Sequence, residues 1–176
     1  MGDIKKVLLT GRPGVGKTTL IKKIAEALKE YHPVGFYTEE IREKGMREGF
    51  EWVSLDGRRG LLSHKKIKSP YRVREYGVDV KGFDDFLNSV PWTDPSTRLI
   101  IIDEIGKMEC FSDQFKKILK EVLDSKKGLI ATIAIKGSGL IAEAKGRKNV
   151  KLFTMTPSNR DSLLSETLKN YSSLAF

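Results

Sequence analysis

Cysteine is almost absent from this chain. Cys110 is the single one among 176 residues, so no intrachain disulfide can form. That usage fits a reducing compartment, and a cytoplasmic protein is expected. Histidine is nearly as scarce: His32 and His64 both fall in loop-like stretches, and no cysteine–histidine cluster suggests zinc. With no partner histidine in view, Cys110 reads as a small core residue rather than a nucleophile. No apolar run approaches the roughly 18 residues of a membrane span. The opening Met1-Gly2-Asp3-Ile4-Lys5-Lys6 leads directly into a strand without the charged and apolar regions of a secretory signal, so none is expected. Repeats, linkers and low-complexity tracts are also missing. The length suits one domain, 1–176, with a core of its own.

What the chain has instead is charge. Its net charge is +9 with a pI near 9.6, which suggests polyanionic partners, nucleotides and nucleic acids alike. Gln114 is the only glutamine among abundant charged residues, a balance that resembles thermophile usage.

One stretch carries explicit chemistry. Gly11-Arg12-Pro13-Gly14-Val15-Gly16-Lys17-Thr18 follows the apolar run Val7-Leu8-Leu9 and opens onto a helical pattern from Lys17 to about Tyr31. Strand, glycine-rich loop and helix with the spacing G-x-x-x-x-G-K-T form a phosphate-binding loop. Consecutive backbone N–H groups must point at the phosphate oxygens, and the helix adds the positive end of its dipole. Lys17 can reach the β- and γ-phosphates, and the Thr18 hydroxyl can ligate Mg²⁺.

Beyond this loop, apolar strands alternate with amphipathic helices. Val34–Thr38 reads as a strand, Gly82–Val90 as a short helix, and Leu99–Ile102 as a central strand. Phe111 to Leu123 forms the apolar face of a helix closed by Gly128, and Leu129–Ile135 is the next strand. Leu140–Ala144 is a short helix, Val150–Phe153 the last strand, and Thr156–Tyr171 the final helix. Such alternation implies an α/β fold with a parallel sheet covered on both faces. Between about 39 and 81 the helical periodicity disappears. Glycine-punctuated β-like pieces, with Asp56-Gly57 as a hairpin signal, predict an antiparallel excursion beside that sheet.

The run Leu99–Ile102 ends in Asp103-Glu104-Ile105-Gly106. A central strand that delivers a carboxylate to the Mg²⁺ shell is what a phosphate-binding loop needs next, and Asp103 fills that place. Glu104, one position on, can polarise an attacking water as general base; a surface glutamate at a strand end is the alternative. By analogy with the additional-strand class of such folds, 129–135 should lie between the first strand and the Asp103 strand. Thr132 would then stand near the γ-phosphate, unless it only packs. The same four residues match the D-x-x-G of GTPases, but no [NT]-K-x-D element for reading guanine follows, so loose base selectivity is expected. A cation at the transition state is also wanted; Arg12, Lys107, Arg42, Arg47 and Arg160 are candidates. Between Gly57 and Arg74 stand seven Lys/Arg and no carboxylate, either a phosphate-facing or nucleic-acid surface or solvated hairpins. Trp52 and Trp92 read as packing residues.

Together these residues resemble a known family, the small P-loop nucleoside-triphosphatases of the cancer-related nucleoside-triphosphatase type. The resemblance runs nearly end to end. It rests on residues 11–20, on Val-Gly-Phe-Tyr-Thr-Glu-Glu-Ile-Arg at 34–42, on Gly49-Phe50, and above all on Ile-Asp-Glu-Ile-Gly-Lys-Met-Glu at 102–109; Thr132-Ile133 and Asn159-Arg160 match as well. It implies a RecA-like variant of the P-loop fold, with parallel strands in the order 5-1-4-3-2, and Mg²⁺-dependent hydrolysis of several nucleoside triphosphates. Carried over by position, 11–18 bind the phosphates, Asp103 holds the metal through water, Glu104 is the base, and Ile105 and Gly106 complete the site. Cys110 stands where the family often has Leu, and Arg74 where it often has Gly. The residues alone leave three readings open: a monomeric NTP phosphohydrolase, a nucleotide or small-molecule kinase, and an RNA-binding P-loop ATPase.

Overall fold

The computed structural model describes residues 6–171; the opening segment read above for a missing signal falls, at 1–5, outside the described residues. Nine strands and five α-helices follow in order: β1 (Lys6–Gly11), α1 (Lys17–Ala27), β2 (Val34–Glu43), β3 (Met46–Ser54), β4 (Arg59–His64), β5 (Arg72–Val73), β6 (Tyr76–Val78), α2 (Val80–Asn88), β7 (Leu99–Ile105), α3 (Asp113–Asp124), β8 (Gly128–Ile133), α4 (Leu140–Gly146), β9 (Lys151–Met155) and α5 (Arg160–Lys169).

All nine strands join one sheet, ordered β5-β6-β4-β3-β2-β7-β8-β1-β9. The pairs β2/β7, β7/β8, β8/β1 and β1/β9 are parallel. Counted among themselves, these five strands run 5-1-4-3-2, with β8 between β1 and the Asp103 strand as the analogy required. The sheet as a whole is mixed. The excursion does not lie beside it but extends it through the antiparallel pairs β2/β3, β3/β4, β4/β6 and β5/β6. β2 is accordingly longer than the apolar run suggested: past Thr38 it continues to Glu43 as one arm of a hairpin with β3.

The parallel strands are buried on both faces, so their apolar residues alternate between two cores. Ile100 and Ile102 of β7 face a cluster with α2, α3 and α4, whereas Leu99 and Ile101 face one with α1 and α5. Phe36 centres the first cluster, edge-on to Phe83, Phe86 and Phe115 at ring separations of 5.5, 5.8 and 6.3 Å. Each such fully buried side chain contributes on the order of 1.5–3 kcal/mol by area. Both tryptophans pack as expected: Trp52 stacks on Phe86 at 3.9 Å, and Trp92 is buried with its Nε1 donating to Leu87 O.

Several helix ends differ from the periodicity. α1 gives way after Ala27 to a 3-10 turn at Lys29–Tyr31. α3 ends at Asp124, not at Gly128, which instead begins β8. α5 starts at Arg160 rather than Thr156, because the Asn159 side chain accepts from Thr156 N and donates to Thr154 O, folding the preceding residues into a turn. α2 starts at Val80, earlier than the Gly82 expected, where Asp79 caps it by accepting from Gly82 N.

Candidate active site

The glycine-rich loop leaves β1 at Gly11 and enters α1 at Lys17. Gly16, the residue capping α1, has φ of 107°, a backbone that an L side chain rarely adopts, which explains glycine there. Within the loop Val15 N donates to Arg12 O, and Lys17 Nζ folds back to donate to Gly11 O at 2.7 Å. Lys17 therefore covers the loop from inside. Arg12, Pro13 and Gly14 are exposed at its crest.

Asp103 and Glu104 occupy an irregularity of β7. Ile102 pairs with Ala131 and Ile105 with Ile133, so two residues of β7 stand opposite the single Thr132 of β8. An extra residue of this kind takes the strand out of its ladder and redirects side chains, here at the carboxyl-terminal edge where the loop lies. The peptide bond between the two acids is cis.

Asp103 is only 2% exposed and fully engaged. Thr18 Oγ1 donates to its Oδ2 at 2.8 Å, and Thr132 Oγ1 to its Oδ1 at 2.6 Å; Thr38 N approaches Oδ2 at 3.5 Å. Burial pushes this carboxyl above the usual aspartate range, while the two hydroxyls, the amide and the charge of Lys17 pull it back. Thr132 was expected near the γ-phosphate. Its hydroxyl donates to Asp103.

Glu104 is half-buried, and none of the described residues donates a hydrogen bond to it. Burial and then the neighbouring Asp103 raise its pKa, and Lys17 opposes them. A carboxyl raised toward neutrality, without a partner and within the field of a lysine, is chemically suited to take a proton. Ile105 is buried core, and Gly106 lies against Glu104 in the turn beyond.

The remaining candidates separate. Lys107 is exposed past the acids. Arg42 and Arg47 both bond to Glu40 in the β2–β3 arm and are thereby occupied. Arg160, with Asp161, Met155 and Leu164, lines a cleft of about 470 Å³ whose other wall is Val15, Gly16 and Thr19 of the loop and α1. Asn159 only shapes the turn that brings Arg160 there. Burial pushes the Cys110 thiol up to about 11, so it is no nucleophile at neutral pH. Part of the basic stretch 58–74 is paired: Arg58 with Asp56 in the same turn, Arg59 with Glu39 and Glu51, and Lys65 with Glu48, on β2 and β3.

Glu109 escaped the sequence reading. It is 5% exposed at the start of a 3-10 turn, Glu109–Phe111, that follows β7. Its signal was membership in the 102–109 stretch, which nothing in its local context distinguishes from a surface acid. The Met155 and Thr19 walls of the cleft were likewise invisible, since only the fold brings them together.

Comparison with known proteins agrees with this geometry. The sequence profile described as NTPase matches residues 6–168. The nucleoside-triphosphatase THEP1 of Thermotoga petrophila is 46% identical over 164 residues, 93% of this chain and 90% of that one. The human cancer-related nucleoside-triphosphatase is 42% identical over 92% of this chain and 94% of its own. The crystal structure of THEP1 from the hyperthermophile Aquifex aeolicus superposes with a TM-score of 0.84 at 36% identity, covering 95% and 99% of the two chains. With its phosphate loop, its paired acids and this similarity along nearly the whole length, the chain belongs to the NTPase family.

Proposed function

We propose that the protein hydrolyses nucleoside triphosphates to diphosphate and phosphate, with Glu104 as the base that activates water. One observation carries this: beside the Thr18–Asp103 pair stands a second carboxyl that is free of partners, held above its ordinary pKa and within reach of the charge of Lys17. The backbone of 11–18 would cradle the β- and γ-phosphates, and Lys17 would exchange Gly11 O for phosphate oxygen. Glu104 takes a proton from water as the water oxygen bonds to the γ-phosphorus; the bridging oxygen leaves with its electron pair on the diphosphate.

The residues fit Mg²⁺. Thr18 and Asp103 offer two hard oxygen donors 2.8 Å apart, and among the described residues no set of three or more acidic, histidine or cysteine ligands competes with them. That is the sparse protein shell Mg²⁺ accepts when waters and phosphates complete it. Bound there, it would neutralise charge on the phosphate oxygens. The cleft beside Thr19 and Arg160 mixes apolar side chains (Val15, Leu20, Met155, Leu164) with charged ones (Lys23, Arg160, Asp161), which suits a nucleoside held without a dedicated reader of the base. ATP, GTP, CTP and UTP should all be substrates.

Phosphate release with each triphosphate, with and without Mg²⁺ and RNA, tests the reading. Lys17→Ala is expected to weaken nucleotide binding, whereas Glu104→Ala should spare binding and lower kcat by about 10²-fold or more. Equal loss of binding in the two variants would refute this division of roles. Transfer of label from γ-labelled ATP to a metabolite would replace hydrolysis with a kinase reaction.

A further inference from the structure

The Glu109 carboxyl is unused by this mechanism, and its surroundings are informative. It is buried, and among the described residues no lysine or arginine forms an ion pair with it. A side chain of that kind is costly to bury, and an apolar residue of equal size would stabilise the turn better. Its position relative to Glu104 is tight. A methyl group placed on Gly106 would lie 2.8 Å from Glu104 Oε1 and 3.0 Å from Glu109 Oε2, so the two carboxyl groups flank the same point of backbone.

The turn that carries Glu109 is also clamped from several sides. Cys110 N donates to Gly106 O at 3.0 Å. Ser63 Oγ of β4 donates to Met108 Sδ at 3.3 Å, and Phe111 packs on Tyr71 at 5.4 Å. Ser112 caps α3 by accepting from Phe115 N at 2.9 Å and donates to Asp84. Glu109 is thus fixed, while Glu104 has no donor of its own.

We propose that Glu109 is a positioning residue for the hydrolytic step: its carboxyl group holds the Glu104 side chain in the orientation from which Glu104 takes the proton of water. The inference rests on the reading of Glu104 as base. Two carboxyl groups flanking one point of backbone disfavour each other's ionisation, and burial adds most to that on the deeper Glu109. In the proposed state its O–H donates to the Glu104 carboxylate. One of the acceptor's oxygens stays engaged and the other is presented to water. Holding a long side chain ready in this way removes rotamer freedom that would otherwise be lost during the reaction.

A neutral donor is what the role needs, so glutamine should serve and leucine should not. Glu109→Leu is expected to lower ATP hydrolysis kcat by about tenfold or more with KM and ADP affinity little changed, and Glu109→Gln to retain most of kcat. Thermal melts of both variants establish that they are folded. The effect must also vanish without its target: added to Glu104→Ala, Glu109→Leu should lower kcat no further. Wild-type kcat in Glu109→Leu overturns the proposal, as does a Glu109→Gln enzyme as slow as Glu109→Leu. An undiminished effect in the Glu104→Ala background overturns it too, because Glu109 would then act independently. If Glu104→Ala keeps full kcat, the assignment of Glu104 as base fails instead; if Glu104→Ala is slow and Glu109→Leu is not, only the positioning role fails.

Discussion

Arg74 sits between β5 and β6 with φ of 52°, in the left-handed region that favours glycine. A non-glycine residue there gives up about 1–2 kcal/mol, whereas glycine loses about 0.5–1 kcal/mol more backbone entropy on folding. The first effect is the larger. Arg74→Gly should therefore stabilise the protein by about 0.5–1 kcal/mol in denaturant melts, and Arg74→Ala, which keeps the strain, should not. At this scale the phosphate loop was fully legible, since its chemistry demands Gly11, Gly14, Gly16, Lys17 and Thr18 as neighbours along the chain. Glu109 was not legible, because burial of an acid is decided by what the fold packs over it, not by its neighbours in sequence. Thr132 was expected near the γ-phosphate; that its hydroxyl meets Asp103 is decided by the register of β8 against β7.

α3 shows how an element is both specified and anchored. Phe115, Ile118, Leu119, Val122 and Leu123 give it a buried face, and Ser112, itself buried, caps it by accepting from Phe115 N. Its hydroxyl also reaches Asp84 of α2 and so ties two helices to the turn behind Glu104. Removing the hydroxyl breaks the cap and leaves Phe115 N without it, so Ser112→Ala should cost about 1–2 kcal/mol in an unfolding titration. A loss well under that range would mean that Asp84 or water replaces the cap. The helix interior was readable from its spacing, but its end was not. Lys126, Lys127 and Gly128 look like a helix terminus, yet Ser125 already leaves the helix. Gly128 N donates to Arg98 O, which starts β8. The excursion was recognised as antiparallel from Asp56-Gly57. That it continues the main sheet depended on β2, whose polar residues Glu39–Glu43 concealed a strand that pairs with β3 beyond the parallel core.

For the whole molecule the net charge of +9 is partly offset locally, since Arg58, Arg59 and Lys65 of the basic 58–74 stretch pair with carboxylates. Those surface pairs contribute modestly to stability. The carboxyl that should dominate pH behaviour is the buried one. Desolvation, then the charges of Glu104 and Asp103, raise the Glu109 pKa well above the usual glutamate range, with the N–H groups of Glu109 and Gly106 opposing. A folded-state pKa above the unfolded value means that the folded state binds the extra proton. The stability it confers is complete below the ordinary glutamate range and is lost as pH rises toward the raised value. Glu109→Gln does not titrate in that window. Its melting temperature should match wild type near pH 4 and exceed it increasingly toward pH 8. Exposed carboxyls such as Asp56, lowered to about 2 by Arg58, titrate below the window and act equally on both proteins. A melting-temperature difference that stays constant across that range would show that Glu109 is ionised in the folded protein. Growth of the difference with pH would show that the fold accepts a stability loss at neutral pH to keep a protonated acid beside Glu104, which is the state the positioning role requires.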